Sequence, residues 1–295
     1  MSTTVVHFYG LETLSQGLAK QLGANYCSAE IHEFPDGETC VRIDPQQINK
    51  QTIVVASLHH PNHIVLPLLF LSETLRDYGA EHILLIAPYL AYMRQDRRFH
   101  EGEGISARYF AGLISTYFDA LVTVDPHLHR IKSLDKIYSV PSRVIHAAPQ
   151  VADWIRNNID KPLLIGPDSE SEQWVKDVAH AVGAPFVVLQ KTRHGDRDVE
   201  ISVPDVEKWH EHTPVLVDDI ISTAKTMIKT VKHLNYAGLK APICIGIHGI
   251  FADKACQELI DAGASKVITS NSISHETNAI DLVPSITVTV RELLA

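Results

Sequence analysis

Pro214-Val215-Leu216-Val217-Asp218-Asp219-Ile220-Ile221-Ser222-Thr223-Ala224-Lys225-Thr226 runs from an apolar start through two adjacent carboxylates into a hydroxyl-rich segment. A short apolar run bounded in this way reads as a buried strand, and the hydroxyls that follow it read as the start of a helix. Backbone N–H groups at such a turn, with the hydroxyls of Ser222, Thr223 and Thr226, can surround a phosphate without a net positive surface. The two acids can hold sugar hydroxyls or a hydrated cation that bridges them. Asp and Ser are also ordinary helix caps, so an Asp-Asp pair alone would say little. It is the whole pattern that points to a ligand.

Working outward, similar apolar runs recur with helix-length spacers. In the first half they are Thr4 to Phe8, Thr52 to Leu58, His82 to Ala87 and Leu121 to Val124. In the second half they are Leu163 to Ile165, Phe186 to Leu189, Val215 to Val217, Ile243 to Ile247, Lys266 to Thr269 and Ile286 to Val290. Near-continuous apolar strands alternating with amphipathic stretches are what a parallel sheet covered on both faces requires, so the fold class is α/β. The prolines and the Asn157-Asn158 pair between Val140 and Pro162, with a helix expected over Gln150 to Arg156, place a domain boundary near 145 to 160. A chain of 295 residues suits two domains, each with its own core. In such sheets ligands gather beyond the C-terminal ends of the strands.

The charge balance, 26 Lys and Arg against 35 Asp and Glu, gives a formal net charge of −9. That argues against a non-specific nucleic-acid binder or an anionic-membrane binder, and any phosphate site must be local. The sequence shows no apolar stretch of membrane-spanning length and no signal-peptide start, so a soluble, cytoplasmic protein is expected. Cys27, Cys40, Cys244 and Cys256 form no CxxC pair and read as reduced core thiols.

Other segments carry weaker signals by themselves. Asp36-Gly37-Glu38 is a common kind of surface turn. Arg94-Gln95 sets a planar cation beside an amide able to read a base edge. His127 and His129 form an H-x-H with no cysteine partner, a poor zinc signal. Lys191 to Arg197 is a basic, glycine-containing loop, suited to a lid over a polyphosphate but equally to a solvated face.

Taken together these segments resemble one family. The stretch Pro214 to Thr226 is similar to the phosphoribosyl-diphosphate loop shared by type I phosphoribosyltransferases and ribose-phosphate pyrophosphokinases. Phe34-Pro35-Asp36-Gly37-Glu38, Pro88 to Arg98, Val124-Asp125-Pro126-His127, Gly166-Pro167-Asp168 and Lys191-Thr192-Arg193 resemble the pyrophosphokinases in order and spacing, over nearly the whole chain. The resemblance implies two phosphoribosyltransferase-like domains, residues 1–147 and 148–295, each a mainly parallel sheet flanked by helices. It implies transfer of the diphosphate of ATP to ribose 5-phosphate; the alternatives are a non-catalytic regulatory relative and a type I phosphoribosyltransferase. ATP would meet Phe34, Asp36, Gly37, Glu38, Arg94 and Gln95, in a site completed across a contact between copies of a homo-oligomer. Ribose 5-phosphate would meet Arg193, Asp218, Asp219, Ser222, Thr223, Ala224, Lys225 and Thr226. Lys191 and Arg193 would be catalytic, and His127 and Asp168 would touch the Mg2+ that travels with ATP. Two departures stand out: Lys225 where the family's loop carries glycine, and Ser169-Glu170-Ser171-Glu172 after Asp168.

Overall fold

The computed structural model describes residues 2–166, 172–194, 198–202 and 206–294. The chain packs as two units. The first holds Met1–His146 with Ser272–Ser274 and Leu282–Ala295, and the second holds Ala147–Asn271 with His275–Asp281.

In the first unit, β1 (Thr3–Tyr9), β2 (Asn25–Ser28), β5 (Gln51–Ala56), β6 (His82–Ile86), β7 (Ala120–Val124) and β8 (Ser142–Ile145) form one sheet. Its order is β2-β1-β5-β6-β7-β8, and every neighbour is parallel. The helices α1 (Glu12–Leu22), α2 (Val65–Asp77) and α3 (Ser106–Tyr117) connect the strands. β3 (Glu30–Glu33) and β4 (Thr39–Arg42) make a separate antiparallel hairpin between β2 and β5. Val5, Val6, Ile53 to Ala56 and Leu85 to Ala87 have no solvent exposure, which is why their sequence is continuous rather than alternating.

The second unit repeats this plan. Its helices are α4 (Ala148–Asn158), α5 (Glu172–Val182), α6 (Lys225–Tyr236) and α7 (Ala255–Asp261). Its sheet, β10-β9-β13-β14-β15-β16, is again wholly parallel. The strands are β9 (Pro162–Gly166), β10 (Phe186–Val188), β13 (Thr213–Ile221), β14 (Ile243–Gly249), β15 (Lys266–Ser270) and β16 (Asn278–Ile280). β11 (Gln190–His194) and β12 (Asp198–Ser202) form a hairpin at the same point of the order as β3 and β4. In both sheets the chain steps outward once and then reverses, leaving a switch point between β1 and β5 and between β9 and β13. Such a point is where α/β sheets hold ligands.

The structure corrects several readings of the sequence, two of them in these elements. Ile286 to Val290, an Ile-Thr-Val-Thr-Val alternation expected to be a strand, lies in the helix α8 (Val283–Leu294). Val283, Ile286, Thr287 and Val290 are buried at helical spacing, and α8 packs on α1, β7 and β8 of the first unit. Gly17 permits the close approach, since a Cβ there would lie 3.2 Å from a Val283 methyl. A division at 147/148 would put this helix in the second half; its apolar face is instead covered by α1. Cys40 is the other correction, an exposed residue of the β3–β4 hairpin rather than a core thiol. Burial raises the thiols of Cys27 and Cys244, to about 11 and about 12, as expected of inert core cysteines.

Candidate active site

β13 carries the first part of the Pro214 to Thr226 stretch. Pro214 to Val217 are buried between β9 and β14, while Asp218 and Asp219 are half-buried toward the strand's C-terminal end. The strand continues past the acids to Ile221, with Ile220 and Ile221 paired to His248 and Gly249. A Cβ at Gly246 would lie 2.6 Å from Cγ1 of Ile221, so the absence of a side chain on β14 leaves room for the isoleucine that anchors the strand end. The Asp219 amide donates to Oδ1 of Asp218 at 3.0 Å.

After Ile221 the chain turns into α6. Met227, Thr230, Val231 and Leu234 form its buried face, and its first turn lies beyond the C-terminal end of the sheet's switch strand. The position before the helix, Ala224, is left-handed with φ 52° and ψ 9°. A Cβ in that region costs roughly 1–2 kcal/mol, a cost that persists where the surrounding fold over-determines the backbone. Lys225, by contrast, is the first helical residue and is not left-handed. The lysine that replaces the family's glycine therefore adds charge without backbone strain. Thr223 and Lys225 are exposed, and Ser222, Ala224 and Thr226 are half-buried around the same turn.

Lys191 and Arg193, expected on a loop, occupy alternate positions of β11, opposite Ile201 and Val199 of β12. Backbone pairing with β12, which the sequence of 190–194 alone does not announce, turns that part of the segment into a ribbon. Asp168 and Ser169 to Ser171 lie outside the described residues, and Glu172 opens α5.

In the first unit Phe34, Asp36, Gly37 and Glu38 form the tip of the β3–β4 hairpin. The Phe34 amide donates to the Glu38 carbonyl at 2.7 Å, and the Gly37 amide to the Phe34 carbonyl at 2.9 Å. Gly37 supplies the φ of 88° that the turn needs. Phe34 is 43% exposed, much as Phe70 and Phe99 are.

Arg94 is exposed and Gln95 half-buried in the long connection between β6 and α3. The Gln95 Nε2 donates to Oε2 of Glu103 at 3.2 Å and to the Arg97 carbonyl at 3.3 Å. Glu103 is an unusually strong acid, held at about 2 by its hydrogen bond to His100 and by the amides of Phe99 and His100. A base edge read by Gln95 would have to meet its Oε1 or displace Glu103.

His127 follows β7 through two unusual turns: Asp125 has φ 34° and His127 has φ 54°, with the amide of His127 bonded to the Asp125 carbonyl at 2.9 Å. Two left-handed non-glycine residues so close together are the kind of strain that gathers at functional sites. The Asp125 carboxylate is buried, 3.1 Å from Nδ1 of His146. The His127 and His129 rings pack edge to face with centroids 4.0 Å apart.

Asp96 and Arg130 are residues that sequence reasoning missed. Arg130 reaches back to Asp96 at 3.2 Å, where the carboxylate side chain is only 3% exposed. This ion pair ties the Arg94-Gln95 connection to the loop carrying His127, and the guanidinium of Arg130 lies 5.7 Å from the Phe99 ring. Residues 34 apart in sequence carry no spacing signal of such a pairing.

The family profile for the N-terminal domain of ribose phosphate pyrophosphokinase matches residues 4–117, and that for the phosphoribosyl transferase domain matches residues 133–283. The chain belongs to the ribose-phosphate pyrophosphokinase family. Among its relatives, the ribose-phosphate pyrophosphokinase of Methanobrevibacter smithii is 30% identical over 293 residues, covering 95% of this chain and 97% of the relative. That of Sulfolobus acidocaldarius is 32% identical over 275 residues, covering 92% and 93%. The crystal structure of phosphoribosylpyrophosphate synthetase from Mycobacterium smegmatis matches with a TM-score of 0.86 at 25% identity, covering 100% of this chain and 99% of the other. The family's two-domain α/β architecture is the one described above.

Proposed function

We propose that this chain transfers the β,γ-diphosphate of ATP to the 1-hydroxyl of ribose 5-phosphate, giving 5-phosphoribosyl 1-pyrophosphate and AMP, with Mg2+ accompanying the nucleotide. The observation that carries the reading is the match of residues 4–117 to the pyrophosphokinase N-terminal domain, alongside a phosphoribosyl transferase domain that would by itself fit either activity. The anomeric oxygen attacks the β-phosphorus, the bond from that phosphorus to the AMP oxygen breaks, and the hydroxyl proton passes to solvent. Catalysis of this kind rests on alignment and charge neutralisation rather than on a covalent enzyme intermediate.

The turn from Ser222 to Thr226 receives the 5-phosphate, because the amides that open α6 and the hydroxyl-bearing residues Ser222, Thr223 and Thr226 all belong to it. Asp218 and Asp219 accept hydrogen bonds from the ribose hydroxyls, and Lys191 and Arg193 neutralise charge on the transferred group. Arg94 and Gln95 hold the adenine end of ATP with Phe34, Asp36, Gly37 and Glu38. Of the proposed metal contacts Asp168 would supply a carboxylate oxygen, the donor Mg2+ favours, whereas the His127 nitrogen is a weaker partner, so the ion would keep most of its ligands as water and phosphate oxygen. When bound, the ion draws charge from the phosphate oxygens.

The exposed Phe34 on a hairpin apart from the main sheet supports an ATP site completed by a second copy of the chain. Light scattering at assay concentration should find an oligomer, and an active monomer would overturn that part of the reading. The net charge of −9 supports small-molecule rather than nucleic-acid partners. Among the described residues no helix is long and apolar enough to cross a membrane. The deciding assay is incubation with ATP, Mg2+ and ribose 5-phosphate. AMP with a sugar diphosphate is the expected product, and no turnover with folded protein would refute the proposal.

A further inference from the structure

The loop after β14 behaves as a brace for the turn between β13 and α6. The amides of Ile250 and Phe251 both donate to the Ile221 carbonyl at 3.0 Å, and the Ala252 amide donates to the Ser222 carbonyl at 3.2 Å. A trans peptide carries its C=O and N–H on opposite sides. Holding the carbonyls of Ile221 and Ser222 from behind therefore turns the amides of Ser222 and Thr223 the other way. Those two amides donate to no backbone carbonyl among the described residues.

Several features show that the brace is held in place. Phe251 and Asp253 are left-handed, with φ of 45° and 57°, a conformation disfavoured for a bulky side chain. The Phe251 ring packs so closely on the end of β14 that a Cβ at Gly249 would lie 2.6 Å from its Cε2 and 2.9 Å from the Thr269 methyl. Its outer face meets the His275 imidazole, with centroids 4.5 Å apart. His275 is pinned in turn: its Nδ1 lies 2.9 Å from the Thr277 hydroxyl, which lies 2.7 Å from that of Thr269, and its amide donates to Oδ1 of Asn278 at 2.9 Å.

We propose that Phe251, packed against Gly249 and His275, is a positioning residue for the 5-phosphate of the sugar substrate: it holds the 250–252 amides on the Ile221 and Ser222 carbonyls and so aims the amides of the turn at the phosphate. This rests on the assignment of the Ser222 to Thr226 turn to ribose 5-phosphate.

Phe251→Gly is the informative variant, because glycine relieves the left-handed strain while the ring is lost. Ribose 5-phosphate binding, measured by titration calorimetry, should weaken about tenfold or more, with the KM for ATP within about twofold of wild type. The backbone amide NMR shifts of Ser222 and Thr223 should move in the free enzyme, which a change confined to the β14 loop would not produce. Should the variant fold poorly, His275→Ala tests the same clamp from its other side and should weaken ribose 5-phosphate selectively. Wild-type affinity and wild-type amide shifts at Ser222 and Thr223 in either folded variant overturn the brace while leaving the site assignment intact. A wild-type protein that binds no ribose 5-phosphate overturns the site assignment and the brace with it.

Discussion

Replacing Lys225 by Gln should move the stability of the free protein and its affinity for ribose 5-phosphate in opposite directions. Lys225 is the first residue of α6, the first turn carries no acid, and Lys229 follows one turn later. A cation at a helix N-terminus opposes the macrodipole by about 0.3–1 kcal/mol, and a like-charged i,i+4 pair adds about 0.2–0.5 kcal/mol. Gln keeps a similar length and helix propensity. The variant should therefore gain about 0.5–1.5 kcal/mol, an unfolding midpoint about 1–6 °C higher for a unit of this size. Bound phosphate reverses the sign. Lys225 is exposed, so its attraction to a dianion belongs near the aqueous end of the scale, about 1–2 kcal/mol after screening. That corresponds to a loss of affinity of about fivefold to thirtyfold, shrinking as salt is added. Thermal melts and calorimetric titration of ribose 5-phosphate at two ionic strengths measure both. A dissociation constant within twofold of wild type would refute the placement of this lysine beside the phosphate, and a lower midpoint would refute the repulsion at the helix start.

Lys191→Ala should lower kcat by about a hundredfold or more with little change in ATP affinity, the scale of losing one preorganised charge, and single-turnover kinetics with wild-type rate would return the residue to the surface. Gly246→Val should destabilise by about 1–3 kcal/mol, because a Cβ there falls 2.6 Å from Ile221 and β14 is packed on both sides; an unmoved urea midpoint would contradict the packing described. Burial lowers the pKa of His7 and of His59 from an ordinary 6.5. The unfolded chain therefore takes up protons first, so stability is whole above about pH 6.5 and is lost as pH falls through it toward the depressed native values. His59→Gln should flatten the decline of the melting temperature between pH 7 and pH 5, and equal slopes in the two proteins would exclude that origin.

Local sequence was enough for the parts of this protein whose causes are local. Ile53 to Ala56 and Ile243 to Ile247 are apolar at every position because both faces of a parallel strand are covered. Val215 to Thr226 spells out strand, carboxylates, tight turn and helix start in a single unbroken run, so the proposed phosphate site was legible before any fold was known. Other features depended on partners distant in the chain. The Ile286 to Val290 alternation suits a strand as well as it suits a helix, and only the α1 surface waiting to be covered decides for α8. Lys191 and Arg193 lie in a ribbon because residues 198–202 complete their backbone hydrogen bonds. Asp96 finds Arg130, and Phe251 finds Ile221 and His275, through burial and packing that no spacing in the sequence encodes. Hydrophobic periodicity and turn chemistry act over a few residues and can be read from them, whereas the choice of partner is settled by which surfaces the whole chain can bury together.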